Sequence, residues 1–187
     1  MKRYLIRVEN KSIYTPLDIS EVKEILNGIG QNFSNIRVSN FAIEFDYFSE
    51  GEDKEILDKI THSLGKVLDF KELKQELEES SLALALQLYK QERFWEAHEV
   101  IEAIWRKEKD ERMKELLQSL ILLCASYVHM QKGRNSVSIG IMKRAADKMN
   151  SAIVQLGNIT IDSQRLRNEI LEVIKEGKPR IIDLPNT

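Results

Sequence analysis

Cysteine is almost missing from these 187 residues: Cys124 stands alone. A lone thiol excludes an internal disulfide framework and any multi-cysteine metal site, and it points to a reducing, cytoplasmic setting. Its place in the apolar run from Leu116 to Met130 reads as a buried, inert thiol. Three prolines and eight glycines leave little room for long loops. No stretch reaches the ~20 apolar residues of a membrane span, since even Leu116–Met130 is interrupted by Gln118, Ser119, Ser126 and His129. The opening Met1–Arg7 has basic residues but no apolar segment after them, so no signal peptide and no membrane partner are expected. Charge of one sign is lacking too. The 28 basic and 30 acidic side chains leave a net charge of −2, with no basic field to draw nucleic acid. No Walker loop, G-x-G-x-x-G or G-x-S-x-G occurs. What is present, 42% apolar and 31% charged residues, suits a globular chain with a sizeable core.

Two textures follow one another. Tyr4, Ile6 and Val8 alternate with Leu5, Arg7 and Glu9, the period of a strand. Thr15-Pro16-Leu17-Asp18 breaks that pattern, and Ser20 is placed to cap a helix over Glu21–Ile29 that Gly28 and Gly30 end. Ile36–Val38 and Phe41–Phe48 alternate again around Ser39-Asn40, and a second helix is expected over Asp53–Leu68. The order β-α-β-β-α predicts a small ferredoxin-like α+β unit over residues 1–70, one sheet with two helices on one face. From Lys71 the chain reads as about five helices in stacked antiparallel hairpins, a domain over 71–177. The segments are about 71–91, 93–108, 110–132, 136–157 and 162–176. Asn135 or Ser136 would cap the fourth helix, Asp162 or Ser163 the fifth, with a turn between them at Gly157-Asn158. Residues 178–187 form an extended tail, apolar enough to lie on the helices or on a second copy.

The richest stretch is Phe94-Trp95-Glu96-Ala97-His98-Glu99-Val100-Ile101-Glu102-Ala103-Ile104-Trp105. At about 100° per residue, Phe94, Ala97, His98, Ile101, Ile104 and Trp105 share one face, with His98 near its middle. Glu102 follows one turn later, while Glu96, Glu99 and Ala103 point away. A buried polar group left unpaired costs about 1–3 kcal/mol, so His98 needs a partner and Glu102 is the nearest. The next helix is apolar almost all round. Its Gln118 and His129 lie on one side but about 16 Å apart along the axis. Together with Leu116–Ile121 and His129–Asn135, the Phe94–Trp105 stretch resembles the helical family named domain of unknown function number 309, which carries F-[FW]-E-A-H-E-x-x-E-x-x-W. The resemblance runs over about residues 80–157 and departs at Ser119, where the family has Gly, and at Ser136–Gly140. It implies an all-helical, dimeric domain with no established activity, and leaves residues 1–70 outside.

Three functional readings follow. In the first, the protein is a cytosolic binding or assembly protein, a homodimeric helical scaffold with a polar pocket lined by Trp95, His98, Glu102, Trp105, Gln118 and His129. In the second, a divalent metal held by His98, Glu102 and His129 serves a hydrolase; His-Glu-x-x-Glu differs from the zinc-protease His-Glu-x-x-His in its last residue. In the third, Lys132, Arg134, Lys143 and Arg144 bind phosphate or nucleotide at a helix N-terminus, although Asp147 interrupts the patch and such charges ordinarily form a solvated face. His62 reads as a surface residue or a filler on a helix face. Tyr47 and Phe48 read as sheet packing before base stacking.

Overall fold

The computed structural model describes residues 1–11, 13–51, 53–73, 80–149, 153–156 and 159–184. The chain divides into two compact units, Met1–Glu76 with Gln131–Gly133, and Leu77–Met130 with Arg134–Thr187.

Alternating apolar residues form the strands β1 (Lys2–Glu9), β2 (Phe33–Val38) and β3 (Ala42–Ser49) of the first unit, with helix α1 (Ile19–Ile29) after β1 and helix α2 (Lys54–Ser63) after β3. A fourth strand, β4 (Val67–Glu72), pairs antiparallel with β1, and the sheet order is β2-β3-β1-β4, antiparallel throughout. This is the complete ferredoxin-like β-α-β-β-α-β order. Tyr4, Ile6, Val8, Ile43, Phe45 and Tyr47 pack with Val22 and Leu26 of α1 and Ile60 of α2. Tyr47 is buried against Phe33, their rings stacked at 5.1 Å, so it serves sheet packing. His62 is exposed, as expected of a surface residue.

β4 corrects two expectations, the helix over Asp53–Leu68 and the helix starting at Lys71. Ile56, Ile60, Leu64 and Leu68 keep a four-residue spacing that mimics a continuing helix. The chain nevertheless turns at Gly65, whose φ of +131° favours glycine and where an added Cβ would lie 3.2 Å from the Glu9 carbonyl. Beyond it Phe70 stacks on Tyr4 at 4.7 Å, which fixes the strand. The first expected helical segment, 71–91, is realised as α3 (Leu82–Lys90), its N-terminus capped by the Ser81 hydroxyl; residues 74–79 lie outside the described residues. At the other end of the unit α1 begins at Ile19, not Glu21. The reason is a preceding turn at Pro16–Asp18, closed by a reciprocal cap between Thr15 and Asp18.

The opposite face of the sheet carries charge. Glu44 sits across from Arg7 on one side and Arg37 on the other, and accepts from the Nε of each, at 2.9 and 3.3 Å. Asp46, one pleat along, accepts from Arg3 at 2.6 Å and from Asn35 at 2.7 Å. Arg7, Arg37, Glu44 and Asp46 are all buried.

The second unit contains α3, α4 (Phe94–Trp105), α5 (Glu111–Gln131), α6 (Asn135–Lys148) and α7 (Ser163–Glu176). The helix expected over 136–157 stops at Lys148, and β5 (Ile153–Leu156) pairs antiparallel with β6 (Ile159–Asp162). β-Branched residues in Ile153-Val154 and Ile159-Thr160-Ile161 favour that pairing; the expected turn at Gly157-Asn158 lies outside the described residues. Arg134, not Asn135 or Ser136, occupies the N-cap of α6, without a side-chain cap, whereas Asp162 caps α7 through the Arg165 N–H. The core centres on Tyr89, Phe94 and Tyr127, whose rings lie 4.7 to 5.8 Å apart. The tail joins this core. Tyr89 Oη donates to the Ile182 carbonyl at 2.6 Å, the Ile182 N–H donates to Tyr127 Oη at 3.0 Å, and Ile182 and Leu184 are buried. Burial pushes the Cys124 thiol up to about 12, which leaves it a neutral, unreactive core group.

Candidate metal centre

Helix α4 buries Phe94, Ala97, Val100 and Ile101 and lays Ile104 and Trp105 against the same core. His98 therefore sits on the flank of the buried face, not at its middle as expected, and its side chain keeps 24% of its exposure. Its Nδ1 lies 3.2 Å from the Ile121 carbonyl oxygen on α5. A carbonyl can only accept, so Nδ1 donates to it, and the ring presents Nε2 on its other side. Nε2 faces Glu102, whose Oε2 is 3.7 Å away. The other Glu102 oxygen accepts from Arg106 Nη2 at 2.7 Å, which orients the carboxylate.

Glu99 completes the group. One ligand atom each from His98, Glu99 and Glu102 lies within 4.8 Å of the others, and all three residues are half-buried. Glu99, expected to point away, joins the group for a geometric reason. Glu99 is about 100° from His98, but Glu102 sits at about 40°, between them and one turn on, within reach of both. Two long carboxylate side chains close the remaining gap. Glu96, on the other flank, is buried and held by Arg93 through two bonds of 2.7 and 2.8 Å.

Two contacts fix how α5 passes α4. Phe94 meets Tyr127 and His98 meets Ile121, so advancing along α4 means retreating along α5. Gln118, half-buried one turn before Ile121, lies toward Glu102. His129 lies the other way, eight residues past Ile121 or about 12 Å along the axis. Among the described residues the ligating group that converges is thus His98, Glu99 and Glu102, with Glu99 in the third place the sequence had given to His129. Trp95 and Trp105 are half-buried near the two ends of α4. Of the anion candidates, Arg134, Lys143 and Arg144 are exposed and Lys132 is half-buried at the turn after α5.

One imidazole nitrogen and two carboxylates are a donor set suited to zinc or manganese. All three come from a single helix, so they occupy one side of an ion and leave coordination positions open, as catalytic sites require. The flanking location keeps those positions near solvent.

The comparisons bear on this segment. A family model described as "Domain of unknown function (DUF309)" matches residues 82–140, from α3 through the first part of α6. The match contains all of α4 and stops short of the expected bound at 157. No curated protein and no solved structure shows significant similarity to the chain. No helix among the described residues is long and apolar enough to cross a membrane.

Proposed function

We propose that the helical unit binds a divalent metal at His98, Glu99 and Glu102 and uses it to activate water for hydrolysis. The observation that supports this most is the pairing of convergence with orientation. Three ligand atoms lie within 4.8 Å of one another, and the Ile121 carbonyl engages Nδ1, which orients the imidazole with Nε2 toward the two carboxylates. A divalent ion in such a site lowers the pKa of bound water toward neutrality, and the open positions admit water and substrate together. The test is metal content per chain on protein purified without an affinity tag, followed by zinc and manganese titrations read by Trp95 and Trp105 fluorescence. Near-stoichiometric metal that vanishes in His98→Ala supports the reading; no metal and no saturable response refutes it.

The scaffold reading, a cytoplasmic homodimer assembled through the helices, draws on half-buried Ile121, Val128 and Met130 of α5 and on the lone reduced cysteine. Sedimentation equilibrium tests it, and a monomer at micromolar concentration removes it.

A further inference from the structure

We infer that the metal-loaded site takes its substrate through an oxyanion, a phosphate or a carboxylate, shared between the ion and Arg106; this rests on the metal reading above. Arg106 follows α4 directly, its side chain is 67% exposed, and one terminal nitrogen is engaged by Glu102 Oε1. Among the described residues its other donors make no further side-chain hydrogen bond or ion pair. A guanidinium offers five N–H donors in a planar fork, so the grip on Glu102 leaves an edge free for a second oxyanion.

Charge sets the sign of the site. Glu99, Glu102 and Arg106 together carry one negative charge, which does not attract an anion. A divalent ion reverses this to one positive charge and adds open coordination positions. Binding of the anion is therefore conditional on the metal. The spacing agrees. An ion held by Glu102 Oε2, at the usual ~2.0–2.2 Å, would share that carboxylate with the guanidinium bonded to Oε1. A second oxyanion carries two oxygens at nearly the same separation, so one could reach the ion while the other accepts a charge-assisted bond from the guanidinium.

The experiment is calorimetry on the full chain. Zinc or manganese is titrated first; methyl phosphate and sodium acetate are then titrated at metal saturation, in the wild type and in Arg106→Gln, with metal-free protein as the control. At least one oxyanion is expected to bind the loaded protein and neither to bind the metal-free protein, and the preferred one names the substrate's group. Arg106→Gln is expected to weaken that binding by about 10–100-fold, the worth of a charge-assisted pair, and Arg106→Lys to recover part of it. Because each variant is measured at metal saturation, any change in its metal affinity does not enter. Normal metal binding with no anion binding, or anion binding unchanged in Arg106→Gln, overturns this inference and leaves the metal reading standing. Failure of the first titration removes both.

Discussion

Replacing His98 by alanine separates a ligand from a structural keystone, because the structure assigns the two roles very different costs. The side chain keeps 24% of its exposure and makes one hydrogen bond, to a backbone carbonyl. Removing a typical hydrogen bond costs about 0.5–1.5 kcal/mol. Alanine, the better helix former, returns up to about 0.7 kcal/mol within α4. The expected net loss is about 0–1 kcal/mol, a few degrees of melting temperature at most for a chain of this size. Phe94→Ala supplies the contrast. Its fully buried ring lies 4.7 Å from Tyr127, and its loss should cost about 3–5 kcal/mol. Metal affinity should move in the reverse order. His98→Ala removes one of three ligands and should weaken zinc binding by at least about 100-fold, the upper range for disturbing even a second-shell partner. Urea melts of both variants and a competitive zinc titration of His98→Ala give these numbers. A destabilisation of about 3 kcal/mol or more in His98→Ala, with metal binding intact, would refute the reasoning and hand His98 to the scaffold reading.

Two further outcomes follow from buried charge and buried protons. Glu44→Ala leaves the Arg7 and Arg37 guanidiniums buried without the carboxylate both bond, so a loss of about 3–5 kcal/mol is expected by denaturant titration; a loss under about 1 kcal/mol would show that water reaches them. Stability should also fall as pH rises above about 9. Burial pushes up the Cys124 thiol, to about 12, and the Tyr89 and Tyr127 phenols, so the folded chain holds protons the unfolded chain has released, at up to ~1.4 kcal/mol per pH unit for each group. Cys124→Ala should flatten the first part of that decline, and an unchanged slope would count against the assignment.

How much was legible in the sequence can be judged from particular residues. The helix bearing His98 and Glu102 could be read because its apolar positions recur with helical period and its motif is distinctive. Its neighbour Glu99 could not, because a helical wheel records where a side chain leaves the backbone and ignores how far a long one bends. β4 was hidden by four apolar residues at helical spacing, with Gly65 as the only local sign of a break. The β5–β6 pair did announce itself, in two β-branched runs around Gly157-Asn158, but the surrounding helices outweighed it. The Arg3, Arg7, Glu44 and Asp46 lattice was present as charges in phase with one another along the strands. It became meaningful only when the register set Glu44 between two arginines.

The two tyrosine hydroxyls that grip Ile182 also impose a schedule on synthesis. Tyr89 and its partner carbonyl are 93 residues apart, so on a ribosome adding roughly 5–20 residues per second the phenol waits about 5–20 s for the group that completes its environment. During that interval α3, α4 and α5 can pair, but the core lacks Ile182 and Leu184. Chains that stall in that window should expose the same apolar surface to proteases and chaperones. Closure of the tail is thus the step at which a nascent helical unit becomes a finished one.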